Sequence, residues 1–208
     1  MYLSGGGAIP QPSDRLFSDD YDSGFDIRLG LEIPFNALVS ATLEAGYNRF
    51  RFTARNVVEG SLADQIDEED VQVRMQGGNL SVGVGQVGIR AYAPIDFIMQ
   101  PYAHGGIGLY LVSTENIAAG SNITSEDEQS AFNIQGRDGV RIGLDGRVGV
   151  NIDLAEEISL FIESAYTQML GENIFVRSTL LDQEDPVYVN DDNPIQYISV
   201  RAGLSFSL

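Results

Sequence analysis

The stretch Val140-Arg141-Ile142-Gly143-Leu144-Asp145-Gly146-Arg147-Val148-Gly149-Val150-Asn151-Ile152 decides the fold. Apolar residues alternate along it with polar or tiny ones, which is the two-residue period of a β-strand. One face reads Val, Ile, Leu, Gly, Val, Val, Ile; the other reads Arg, Gly, Asp, Arg, Gly, Asn. A soluble sheet would bury the apolar face in a core. A strand in a bilayer would turn that face to lipid and enclose the charges.

Working outward, seven more runs carry the same alternation. They are Met1–Ile9, Gly24–Ile33, Leu38–Thr53, Met75–Ala93, Phe97–Ser113, Ile158–Met169 and Pro194–Leu208, and Gly139–Ile152 completes the set. Three connections are short: around Pro34-Phe35-Asn36, around Pro94-Ile95-Asp96, and at Asp153-Leu154-Ala155-Glu156-Glu157. Four are long: Pro10–Ser23, Ala54–Arg74, Thr114–Asp138 and Leu170–Asn193. An even strand count with short turns at one end and long loops at the other predicts a bacterial membrane barrel. The expected fold is therefore all-β: one domain over 1–208, an eight-stranded antiparallel up-and-down transmembrane β-barrel with short periplasmic turns and long acidic outer loops. A water-soluble β-sandwich is the competing reading.

The polar faces of these strands carry Asp26, Arg28, Glu32, Glu44, Arg90, Arg141, Asp145, Arg147, Glu163 and Arg201. Alternation sends all ten into the barrel, five acids against five arginines. Buried charges persist only when paired and hydrogen-bonded. An eight-stranded barrel is just wide enough to be filled by side chains, so a lumen ion-pair network is expected. In the fourth run the apolar parity switches between Val84 and Val87, which predicts a β-bulge at Gly85-Gln86, the alternative being two separate short strands that would break the count.

The last eight residues, Arg201-Ala202-Gly203-Leu204-Ser205-Phe206-Ser207-Leu208, resemble the C-terminal signal read by the barrel assembly machinery, with Arg201, Gly203, Phe206 and Leu208 filling the pattern. A terminal Leu stands where Phe is most usual. Pro101-Tyr102-Ala103-His104-Gly105-Gly106-Ile107-Gly108-Leu109-Tyr110 resembles a middle strand of the small outer-membrane β-barrel superfamily of OmpA/OmpX type, and Leu160-Phe161-Ile162-Glu163-Ser164-Ala165-Tyr166 its penultimate strand. That resemblance implies the fold, the assembly route through the barrel machinery and an outer-membrane location. It implies no substrate.

Composition narrows the partners. The chain has 30 acids and 12 basic residues, all of the latter Arg, for a net charge of −18. Nucleic-acid binding, which needs a basic footprint, is excluded. Cysteine is absent, so no disulfide or thiolate metal site is available. No apolar run is long enough for a transmembrane helix. Met1 leads into Tyr2-Leu3-Ser4 without a basic region and apolar core, so an outer-membrane address implies a leader already removed.

Twenty-one of the 30 acids fall in the long loops, against five arginines. Two clusters there carry ligand types suited to calcium: Asp64, Asp67, Glu68 and Asp70 (with Glu69 between), and Asn190-Asp191-Asp192-Asn193. Neither has EF-hand spacing, and a solvated acidic loop is the plainer account. No other cofactor is predicted. Expected partners are the lipid bilayer, lipopolysaccharide bridged by divalent ions, the assembly machinery during insertion, and proteins met by the outer loops.

His104 is the only histidine. With a serine and an acid beside it, a lipase-like triad would follow, but no nucleophile motif appears. Its parity with Gly106, Gly108 and Tyr110 points to an inward hydrogen-bonding role. Arg49-Phe50-Arg51-Phe52 reads as an interfacial Phe girdle with polar partners, or as a basic rim. Tyr2, Tyr47, Tyr92, Tyr102, Tyr110, Tyr166 and Tyr197 read as aromatic belts. The functional expectation is a non-enzymatic outer-membrane barrel with a charge-plugged lumen, acting as a structural or surface-interaction component. A narrow pore or small-molecule transport barrel, and a subunit of a larger outer-membrane assembly, are the alternatives.

Overall fold

The alternation closes into a ring. In the computed structural model, which describes residues 1–11, 21–53, 73–94, 98–121, 131–135, 138–170, 177–178, 187–188 and 195–207, the described elements are all strands. In chain order they are β1 (Tyr2–Pro10), β2 (Tyr21–Pro34), β3 (Val39–Phe52), β4 (Val73–Gly77), β5 (Leu80–Tyr92), β6 (Met99–Thr114) and β7 (Ile117–Ser121). They continue with β8 (Ala131–Gln135), β9 (Asp138–Ala155), β10 (Ile158–Leu170), β11 (Arg177–Ser178), β12 (Val187–Tyr188) and β13 (Ile195–Phe206).

Eight of them form a closed antiparallel barrel in the order β1-β13-β10-β9-β6-β5-β3-β2. Closure pairs the first strand with the last, from Tyr2↔Ser205 to Pro10↔Tyr197. The ring therefore leaves no unpaired edge, as hydrocarbon demands of a sheet. At this seam a side chain on Gly6 would place its Cβ 1.9 Å from the Val200 carbonyl oxygen, so only glycine fits. The five remaining short strands form a second sheet, β12-β11-β8-β7-β4, at the loop end.

The side chains sort as they would in lipid. Ile27, Leu29, Leu31, Leu43, Val87, Ile89, Ile107, Leu109, Ile142, Leu144 and Ile162 all stand about half exposed on the outside. Arg28, Glu44, Arg90, Asp145, Arg147, Glu163 and Arg201 are buried on the inside. A soluble sandwich cannot present such a continuous apolar exterior, and that reading falls. At the short-turn end, the Asn36 side chain accepts from the Leu38 and Val39 amides at 2.8 and 2.9 Å, an Asx-type turn. The turn between β9 and β10 narrows to Glu156-Glu157. Residues 95–97 of the remaining short connection lie outside the described residues.

Two expectations are corrected. The bulge at Gly85-Gln86 does not exist. Pairing runs unbroken through Gly46↔Val84, Ala45↔Gly85 and Glu44↔Gln86 on one side and Val84↔Tyr110, Gly85↔Leu109 and Gln86↔Gly108 on the other. Leu80, Val82 and Val84 point inward and Val87 and Ile89 outward along one regular strand. What switches is the polarity of the wall, and the register stays. The break in the Met75–Ala93 run comes instead at Gly77 and Gly78, whose φ values of 91° and 78° suit glycine alone and divide β4 from β5.

Candidate functional site

Among the described residues, the lumen is where chemistry-bearing side chains converge. All ten charged residues expected on the inner wall face inward, Glu32 at the half-buried margin and the other nine buried. They divide into a central chain, a lower pair and Arg141.

The central chain alternates in sign across five strands, β2, β13, β10, β9 and β3. Arg28 Nε donates to Asp26 at 2.9 Å, and Arg201 reaches the other Asp26 oxygen at 3.2 Å. Arg201 Nη2 lies 2.9 Å from Glu163, whose same oxygen is 3.7 Å from Arg147. Arg147 then forks onto Glu44, with Nη1 to Oε1 at 2.6 Å, and its Nε donates to Asp145. Planar guanidinium against carboxylate is the geometry that best compensates buried charge. Neutral donors add to these pairs. Tyr2 donates to Glu44, Gln86 to Glu44 at 2.6 Å, Tyr102 to Glu163 at 2.8 Å and Thr167 to Asp145 at 3.1 Å. The Asn48 amide donates to Asp26 at 3.0 Å and accepts from the Tyr197 hydroxyl at 2.7 Å.

Nearer the short turns, Arg90 donates to Glu32 at 2.7 Å, and Tyr92 donates to the other Glu32 oxygen at 2.7 Å. The Arg90 guanidinium also stacks between two rings, 4.9 Å from the Tyr2 centroid and 4.6 Å from that of Tyr102. Arg141 also enters the lumen, beside Tyr110 in the register.

Bulky inward groups fit because glycine faces them. Tyr2 lies opposite Gly30 and Tyr102 opposite Gly149, and a Cβ on those glycines would lie 2.2 and 2.6 Å from the rings. Large against nothing is how a narrow barrel reaches interior density.

The aromatic belt is corrected by the same packing. Tyr2, Tyr102, Tyr110 and Tyr197 are buried inside, Tyr92 is half-buried there, and only Tyr47 and Tyr166 of the seven point outward. The girdle read into Arg49-Phe50-Arg51-Phe52 is likewise inverted. Phe50 is fully buried in the lumen, packing edge-on at 5.3 Å from Tyr197, while Arg49 points out to Glu115 at 2.6 Å. The signal lay in parity: Tyr102 and Tyr110 share their face with His104, and Phe50 shares its own with Asn48 and Glu44.

His104 is buried between Thr42, whose hydroxyl is 2.8 Å from Nε2, and Asp145, 3.4 Å from Nδ1. The order hydroxyl–imidazole–carboxylate is that of a hydrolase triad. Here the carboxylate is already held by Arg147 and Thr167, and the Thr42 hydroxyl sits in the packed wall. The calcium candidates Asp64, Asp67, Glu68 and Asp70, and those at 190–193, lie outside the described residues, as does Leu208 of the C-terminal pattern. Arg201 and Gly203 of that pattern are occupied by the lumen: Arg201 in the ion pairs, Gly203 under the Phe161 ring. Phe206 ends β13, its amide donating to the Met1 carbonyl at 2.7 Å.

No protein-family model and no curated protein sequence matches the chain. Solved structures do. A major outer membrane protein from Thermus thermophilus matches at 10% identity over 99% of each chain, with a TM-score of 0.53. The outer membrane protein OprG from Pseudomonas aeruginosa matches at 15% identity over 99% of this chain and 95% of its own, with a TM-score of 0.52. At such identities the likeness is one of fold. It agrees with an apolar exterior, a polar interior and an outer-membrane location.

Proposed function

Because the chain has the fold of the small outer-membrane β-barrels, we propose that it is a non-catalytic barrel of the bacterial outer membrane whose lumen is held shut by Arg–carboxylate pairs, and that it acts as a structural or surface-interaction component through its outer face. The observation that carries this reading is the Arg147–Glu44 fork. It joins β9 to β3, three strands apart around the ring, and so crosses the bore rather than running along one wall. An ion entering there would have to displace partners that are hydrogen-bonded on every side.

The loops carry most of the acid and suit cationic partners, divalent ions among them, with phosphorylated lipid as the neighbour such ions would bridge. The C-terminal pattern would serve the assembly machinery. A narrow pore ranks second, because the central bore is lined by paired charges without a free column of one sign. The reading is tested by single-channel recording of the purified protein in planar bilayers, alongside its heat-modifiable gel mobility. A folded, heat-modifiable barrel without steady conductance is expected; steady conductance from the unaltered protein rejects the plug.

A further inference from the structure

Above the ionic network the wall changes character. Along β5 the inward residues run Leu80, Val82, Val84 and then Gln86 and Arg90, while the outward ones run Ser81, Gly83, Gly85 and then Val87 and Ile89. Polarity inverts on both faces at one level, with the pairing unbroken. The neighbours agree. On β6, Tyr110 and Val112 point inward and Ser113 outward; on β3, Phe50 points inward and Arg49 outward.

The outward row Arg49↔Ser81↔Ser113↔Asp138 is polar across four strands. The row beneath it, Tyr47↔Gly83↔Leu111↔Val140, has no charge. Tyr47 and Ser81 hydroxyls meet at 2.9 Å across this border, where amphipathic rings mark the edge of a bilayer.

Inside, Phe50, Leu80, Val82, Val112, Met169 and Tyr197 belong to one apolar cluster of residues from β3, β5, β6, β10 and β13, each 1% exposed or less. Membrane barrels are apolar outside and polar inside. At its loop end this one has the polarity of a water-soluble barrel with a hydrophobic core. We infer that this apolar core is a second closure of the lumen, standing outside the hydrocarbon layer and independent of the ion pairs below it. The inference rests on the plugged-lumen reading and adds a seal of different physics. Ions and water avoid a dry apolar constriction because entering it strips their hydration.

Two seals in series have a specific signature. Opening the lower one with Glu44→Ala/Arg147→Ala leaves the barrel silent in potassium chloride. Thinning the upper one from opposite walls with Phe50→Ala/Met169→Ala leaves it silent too. The four changes together give steady conductance. If the Glu44/Arg147 variant conducts alone, the second closure is wrong and the ionic plug stands. If the Phe50/Met169 variant conducts alone, the ionic plug is wrong and independence goes with it. A quadruple variant that is silent yet heat-modifiable overturns the inference.

A second measurement covers the case in which these variants fail to fold. The chain has no cysteine, so single cysteines report access cleanly. With a membrane-impermeant maleimide on the protein in vesicles, Ser113→Cys should label at least about tenfold faster than Val112→Cys, since thiol reactivity follows access. Ile107→Cys, lower on the outer face, should resist through burial in lipid. Val112→Cys labelling as fast as Ser113→Cys would mean a wet core and would overturn the second closure. Ser113→Cys as slow as Ile107→Cys would put the polar row inside the bilayer, with the same consequence.

Discussion

Arg147 on β9 and Glu44 on β3 meet across the bore, three strands apart in the ring, and hold each other through both terminal guanidinium nitrogens. Neither side chain touches solvent. Removing one partner strands the other, which for a buried pair costs about 3–5 kcal/mol. Glu44→Ala and Arg147→Ala should therefore each destabilise the barrel by that order, while the double variant loses less than the sum. Urea unfolding in lipid vesicles measures this coupling, and strict additivity would mean that the two do not act as a pair.

Glycines on the two faces should respond oppositely. Gly108 sits under Gln86, where a Cβ would lie 2.6 Å from the Gln86 Cβ and 2.8 Å from the Gly85 carbonyl oxygen. Gly85, turned to lipid, has nothing within 4 Å. Gly108→Ala should cost about 1–3 kcal/mol through overpacking. Gly85→Ala should be neutral or stabilise by up to about 1 kcal/mol by removing a flexible residue from a strand. The same unfolding assay separates them, and equal losses at the two sites would contradict the assigned faces.

The strand period makes the inner wall legible, because parity alone sends Asp26, Arg147 and their companions to one side. Who pairs with whom is not legible. Arg201 reaches Asp26 and Glu163 only because the barrel's stagger brings β2, β10 and β13 to one level, and stagger leaves no mark on a single strand. The parity switch in β5 misleads for a related reason: a bulge and an inversion of surroundings write the same letters. Tyrosine is ambiguous in the same way. Its ring suits a lipid interface and its hydroxyl suits a charged lumen, so Tyr2 reads as belt until Gly30 is seen beneath it. The acids between the strand runs have no period to read.

Depth should govern the cost of an added charge. Ile107 stands outward on the apolar exterior, and Ser113 outward in the polar row above it. Ile107→Arg should destabilise the folded state by about 2–4 kcal/mol, whereas at Ser113 the same charge should cost about 0–1 kcal/mol. Folding yield into vesicles, read by gel mobility, distinguishes them. Equal penalties would move the membrane border above Ser113.

Thr42, His104 and Asp145 line up as a hydrolase triad does, yet the expected role is structural. A triad needs an accessible nucleophile and donors placed for the oxyanion. Thr42 is buried in the closed wall, and Asp145 also accepts from Arg147 and Thr167, so its charge is spread over cations and hydroxyls. His104 in turn lies against Gly88, where a Cβ would come within 2.4 Å of Nε2. Replacing the ring by a methyl should leave Thr42 and Asp145 short of a partner and cost about 1–3 kcal/mol. The purified barrel should not hydrolyse a p-nitrophenyl acyl ester, with or without His104→Ala. Hydrolysis by the unaltered protein that disappears in Thr42→Val, with unfolding behaviour unchanged, would instead make Thr42 a nucleophile and the barrel an enzyme.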